Sequence, residues 1–215
     1  MEYRDIFQAL KGVGDMNLSS LALPVAETGF ALYPINCNPA HVDKIVVNML
    51  TEARNRSRDS FLTYFEATSE RTFQWITSNV ANDSTRILFA LREIGKRELY
   101  GYMGLAYGDA SGARIEGDAI VRFSDTNRPG LMRKAFLSLV EWVITDIGIK
   151  EVWVRVRSSN PAVNFYNQCG FSVEFEMPLY EINGSMGVLE ELSEVPLKDD
   201  AVMSADSLFH MKYQR

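Results

Sequence analysis

At 215 residues, 47% hydrophobic and 23% charged, the chain has the make-up of one large globular domain. Its core is large enough to need neither a disulfide nor a structural metal. A formal net charge of -6 argues against nucleic acid as the main partner, since backbone binding needs a basic face, and no apolar run reaches the ~18 residues of a membrane span.

Cys37 and Cys169 form no C-x-x-C pair and no metal pattern with His41 and His210. The opening Met1-Glu2-Tyr3-Arg4-Asp5 lacks the basic-then-apolar pattern of a secretory leader. The expectation is a cytoplasmic chain with two free thiols.

In chain order, residues 2–13 fit a short helix with Ile6, Phe7 and Leu10 on one face. Residues 29–35 read as a first strand, where Pro34 marks an edge or a strand end. Asn38-Pro39 joins a capping side chain to a proline at the first helical position, predicting a helix that turns Val42, Ile45, Val46 and Met49 inward. Thr68 or Ser69 opens a second helix with Phe73, Ile76 and Val80 at helical spacing. Residues 86–92, 99–107 and 114–123 are strands joined by short turns, an antiparallel meander. The glycines of its middle strand predict close backbone packing or a bulge.

Residues 131–147 predict a long helix with Met132, Phe136, Leu139, Val140, Val143 and Ile147 on one face, ended by Gly148. Residues 151–157 alternate strictly. Asn160-Pro161 starts a helix stopped by Gly170, and residues 171–177 and 208–213 are the last strands. The fold class is therefore α/β, a mixed, mostly antiparallel central sheet of about seven strands flanked by helices. Residues 29–215 read as one domain and residues 1–28 as an N-terminal extension.

Two stretches carry chemistry. A polar loop over residues 124–129 leads through Gly130 into the long helix. A helix start offers unpaired N–H groups and the positive end of the macrodipole, a seat for phosphate or pyrophosphate. Arg128, Arg133 and Lys134 gather charge around it; the plainer reading is a turn with solvated bases. Further on, Ser159-Asn160-Pro161-Ala162-Val163-Asn164-Phe165-Tyr166-Asn167-Gln168-Cys169-Gly170-Phe171 places Tyr166 four residues before Gly170.

On the third meander strand Glu116 and Asp118 face one side by alternation with Ile120 and Arg122, where a carboxylate can take a proton. The plainer reading puts both at a solvated strand start. His41 is a second candidate base, and Tyr100, Tyr102 and Tyr107 are candidates to line a pocket.

The segment around Tyr166 resembles the GNAT superfamily signature N-x-x-A-x-x-x-Y-x-x-x-G-F. Ala162, Tyr166, Gly170 and Phe171 fall in register, and Ser159 stands where the family has asparagine, one place before Asn160. Upstream, Asn127-Arg128-Pro129-Gly130-Leu131-Met132 is similar to the family's Q/R-x-x-G-x-G/A, with Gly130 matching and Asn127 and Met132 departing. The resemblance covers residues 29–178 and is strongest over 120–171.

It implies a sheet splayed in the middle and direct attack of a primary amine on acetyl-CoA or a longer acyl-CoA, with no metal. The acyl-CoA would lie along Val121, Arg122 and Phe123, with a backbone amide there meeting the developing oxyanion. Asn127, Arg128, Gly130, Leu131, Arg133 and Lys134 would hold its phosphates, and Asn160 and Phe165 would flank it. Tyr166 would serve the leaving thiolate, and Glu116 or Asp118 the amine.

Residues 60–86 resemble GNAT enzymes that acylate amino sugars, including nucleotide-linked ones, and less specifically those acting on protein N-termini. Arg54, Arg56 and Arg58 would meet a diphosphate, or form a solvated helix end. The other readings are a protein acetyltransferase and a non-catalytic acyl-CoA-binding module. A small-molecule amine is the expected partner, with no nucleic acid or membrane, and a homodimer the expected assembly.

Overall fold

The computed structural model describes residues 2–123, 128–182, 190–195 and 202–215. In chain order the elements are α1 (Tyr3–Leu10), β1 (Leu23–Val25), β2 (Phe30–Pro34), α2 (Lys44–Arg56), β3 (Thr63–Tyr64) and α3 (Ser69–Gln74), which continues as a π-helical stretch (Trp75–Val80). There follow β4 (Ile87–Glu93), β5 (Leu99–Ala106), β6 (Arg114–Arg122), α4 (Leu131–Thr145), β7 (Glu151–Arg157), α5 (Ala162–Gln168), β8 (Phe171–Ile182), β9 (Glu190–Ser193) and β10 (Val202–Tyr213).

Among the described residues these strands form one ten-stranded sheet in the order β1-β2-β4-β5-β6-β7-β10-β8-β9-β3. Every pairing is antiparallel except β6 with β7. The expected α/β class and mixed sheet are present. The expected count of about seven strands is too low, because β1, β3 and β9 have 3, 2 and 4 residues, too few for alternation to register.

The sheet separates two cores. On one face α1, α4 and α5 bury Phe7, Phe136, Leu139 and Tyr166 against β4–β7. On the other, α2 and α3 bury Val46, Leu50, Ile76 and Val80 against Leu88, Ala90 and Tyr102. Residues 3–25, set apart above as an extension, supply α1 and β1. Lys11, completely buried, donates through Nζ to the carbonyls of Val80, Ala81 and Asp83 at 2.8, 3.3 and 2.8 Å. It thereby satisfies orphan acceptors at the end of the α3 segment. Its burial lowers the amine to about 8.

Two local expectations shift. Asn38-Pro39 does not open α2. The Asn38 side chain instead accepts from Ala40 in a turn, and Asp43 caps the helix by accepting from Ile45 at 2.9 Å. The buried face is accordingly Val46, Val47, Leu50 and Ala53, and Ile45 is exposed. The glycine-rich strand behaves as expected: a side chain at Gly101 would strike the Val121 carbonyl and the Met132 side chain, at 2.6 and 2.9 Å. Both cysteines are free and buried. Among the described residues no helix is long and apolar enough to cross a membrane.

Candidate active site

β6 and β7 pair only where Arg114 to Gly117 lie beside Glu151 to Val154. Beyond that point a cavity of about 700 Å³ opens between them. The cause is local. Tyr102 pairs with Val121 and Gly104 with Asp118, so Met103 alone faces both Ala119 and Ile120. Ala119 takes a left-handed φ of 52° to fit the extra residue. Such a bulge bends its strand, and β6 turns away from β7. It also breaks the alternation assumed between Asp118 and Ile120. The Phe123 amide donates to the Tyr100 carbonyl at 3.1 Å, and alternation over the regular stretch beyond the bulge therefore turns the Arg122 amide toward the β7 side.

Both candidate carboxylates line this cavity, but they differ in kind. Glu116 is buried and gripped at both oxygens, by Arg114 Nη2 at 2.9 Å and Arg155 Nε at 2.6 Å. Among the described residues Asp118 has a loose ion pair, 3.8 Å to Arg86, and the Ala119 amide beside it, with its side chain 27% exposed. Burial pushes its carboxyl above the usual carboxylate range, against the pull of Arg86 and Arg155. His41 is exposed in the Asn38 turn and is not part of the cavity wall.

Tyr166 lies on α5 between the rings of Phe136, Phe165 and Phe171 and also lines the cavity. Its hydroxyl makes no hydrogen bond to the described residues, and burial, then the Asp118 charge, pushes it above the ordinary phenol value. Phe165 is half-buried against Phe136 at 6.1 Å. Asn160 accepts from the Ala162 amide at 2.9 Å and donates to the Ser60 carbonyl at 3.3 Å, so it caps α5 and ties it to the turn after α2.

The side chains of Val121 and Phe123 pack in the α2–α3 core, and Leu131 packs in the other. Gly130 precedes α4 in a left-handed conformation, φ 78°. The first helical bond runs from the Lys134 amide to the Gly130 carbonyl at 2.9 Å, which leaves the Met132 and Arg133 amides without a carbonyl one turn back. Arg133 is exposed there; Lys134 is 3.7 Å from Glu27 and Arg128 is 3.9 Å from Glu93. Asn127 lies outside the described residues.

Of Arg54 and Arg56, at the end of α2, and Arg58, just beyond it, Arg54 turns inward, donating to Thr63 with its guanidinium over Phe61 at 3.9 Å and Phe65 at 4.7 Å. Arg58 lies over Tyr64 at 4.7 Å. Only Arg56 of the three reaches the cavity, donating to the Phe123 carbonyl. Of the three tyrosines named above, only Tyr107 lines it.

The sequence reading overlooked Arg155 and Arg157, on the polar face of β7. Arg157 is held by Asp206 at 2.6 Å. Asp206 also accepts from Ser158 Oγ and Ser159 Oγ, both at 2.6 Å, so Ser159 is committed to fixing the β7–α5 loop. The available signal was two arginines on a strand that the strand order made central.

The family description acetyltransferase (GNAT) domain matches residues 31–172. No curated protein sequence matches the chain. Among solved structures, a probable acetyltransferase of the GNAT family from Chromobacterium violaceum ATCC 12472 is similar at TM-score 0.65 and 14% identity, covering 90% of this chain and 85% of its own. The ribosomal L7/L12 α-N-protein acetyltransferase RimL is similar at TM-score 0.61 and 12% identity, covering 88% and 93%. The spermidine N-acetyltransferase from Vibrio cholerae, in complex with CoA and spermine, is similar at 0.60 and 14%, covering 86% and 94%. At these identities the likeness is one of fold. With two thirds of its length matched by the family description and a splayed, bulged sheet at the centre of its fold, the chain belongs to the GNAT acetyltransferase family and is an acyl-CoA-dependent N-acyltransferase.

Proposed function

We propose that this enzyme acylates the primary amine of a small molecule carrying an anionic group, an amino sugar linked to a nucleotide being the favoured class. Asp118 takes the proton that an arriving ammonium must lose before its nitrogen can attack. Acyl-CoA supplies the thioester. The Arg122 amide faces the acyl oxygen as negative charge grows on it. Tyr166 gives a hydrogen bond to the departing sulfur. A thiol of ordinary pKa, ~8.5, is more acidic than this tyrosine, so Tyr166 stabilises the thiolate and keeps its own proton.

The residues present suit an acyl-CoA in two respects. β6 turns a backbone amide toward an open cleft, and α4 begins with two amides lacking helical acceptors beside Arg133 and Lys134. Two buried free thiols support a reducing, cytoplasmic setting.

The observation carrying the acceptor class is the charge of the cavity wall. Among the described residues, Arg56, Arg122, Arg155 and Arg157 line it with Glu116 and Asp118, and Arg155 and Arg157 are paired, with Glu116 and Glu194 and with Asp206. Among the described residues, Arg56 is bonded to a neutral carbonyl and has no carboxylate partner. A polycation such as the spermine of the Vibrio cholerae complex would meet the Arg56 guanidinium unfavourably, whereas a phosphate would not.

The test is acetyl-CoA turnover on a nucleotide-linked amino sugar, the free amino sugar, spermine and an N-terminal peptide. The nucleotide-linked sugar should give the highest kcat/KM. Arg56→Ala should raise its KM about 10- to 100-fold, the scale of one charged hydrogen bond, and leave the free sugar unaffected. Spermine or the peptide as best substrate, or indifference to Arg56→Ala, would refute the assignment.

A further inference from the structure

Tyr107 follows β5 and stands in the left-handed backbone region, φ 55°, with 52% of its surface exposed. That is a costly conformation for a bulky aromatic, of the kind that marks functional sites. It lines the cavity. The guanidinium carbons of Arg86 and Arg155 lie over its ring, 5.2 and 4.6 Å from the centroid, within cation–π range.

The two arginines differ in what else they do. Arg155 is tightly engaged, 2.6 Å from Glu116 and 3.4 Å from Glu194. Arg86 is not. It stands 3.7 Å from Asp83 and 3.8 Å from Asp118, and its Nε is buried without a partner among the described residues. Such a guanidinium would gain by closing into a short, charge-assisted bond with Asp118. The contacts that hold it elsewhere are the Asp83 carboxylate, one turn before it in the chain, and the Tyr107 ring.

We infer that Tyr107 is a positioning residue that holds Arg86 at a distance from Asp118 and so leaves that carboxylate open to an incoming amine. The catalytic consequence rests on Asp118 being the base; the stand-off itself does not. The other groups facing Asp118 are Arg155 from β7, Glu116 on β6, Tyr102 from β5 and Tyr166 from α5. Removing the Tyr107 ring takes away none of them. Arg155 remains tied by its two glutamates, so Arg86 is the group released.

The experiment is a 13C NMR titration of the Asp118 side-chain carboxyl, its resonance identified by its loss in Asp118→Asn. Tyr107→Gly removes the ring while accepting the backbone conformation without strain. Its Asp118 midpoint should fall by about one pH unit as Arg86 closes in. Tyr107→Phe, which keeps the ring, should hold the wild-type midpoint. In an Arg86→Gln background, Tyr107→Gly should have no further effect. A midpoint unmoved by Tyr107→Gly, or a shift that persists without Arg86, overturns the inference. A merely structural role would change the melting temperature and not the midpoint. Failure of Asp118 as the base would appear separately, as retained turnover in Asp118→Asn.

Discussion

Asp118→Asn is expected to lower kcat by about 100- to 10,000-fold, the range for loss of a positioned general base. The substitution is nearly isosteric, so CoA affinity should hold. The pH profile supplies a second, independent readout. Burial raises the Asp118 carboxyl above its ordinary value, so the proton-accepting form is lost as pH falls through a midpoint above that of an exposed aspartate. The acid limb of kcat/KM in the wild type should therefore lie above the ~3.9 of a free aspartate, and it should disappear in Asp118→Asn.

Stability should move the other way. A carboxyl whose folded pKa is raised costs stability as pH rises past its unfolded pKa, and in full above the folded one. Thermal melting at neutral pH should accordingly find Asp118→Asn at least as stable as the wild type. The equivalent change at Glu116 should behave differently. It breaks a pair gripped by Arg114 and Arg155 and strands two guanidiniums in a partly buried wall. Turnover surviving in Asp118→Asn with its acid limb intact would remove Asp118 from the reaction.

Tyr166→Phe is the second large effect. Turnover should fall about 10- to 1000-fold, with CoA affinity nearly unchanged. The ring is packed among Phe136, Phe165 and Phe171, so phenylalanine retains the packing and deletes only the hydroxyl. Because burial keeps that hydroxyl protonated well past neutral pH, the loss should be constant from pH 6 to 9. A loss that varied with pH across that range would mean that Tyr166 itself titrates in the reaction.

Much of this site was legible from side-chain type and spacing. Tyr166 stands at a fixed distance before Gly170-Phe171, and both ends of that spacing are set by one short helix, so local periodicity sufficed. The meander was legible because each of its strands exceeds six residues and short turns join them. The bulge was not. An extra residue at Ala119 is invisible to a rule of strict alternation, and that bulge separates the cavity walls and distinguishes Asp118 from Glu116.

Long-range partners were equally hidden. Arg155 with Glu194, Arg157 with Asp206 and Lys11 with the end of the α3 segment join residues distant in sequence. Only the folded sheet brings them together. Three arginines closing one helix looked equivalent in the sequence, yet the fold sends Arg54 into an aromatic nest, Arg58 onto Tyr64 and Arg56 into the cavity.

The most direct test of the account is calorimetric titration of the purified protein with CoA, acetyl-CoA and longer acyl-CoAs. The account predicts saturable binding with a Kd on the order of 1–100 μM, about -5.5 to -8 kcal/mol, and the tightest acyl chain then defines the donor. An absence of binding heat for every one of them, in protein shown to be folded, would contradict it.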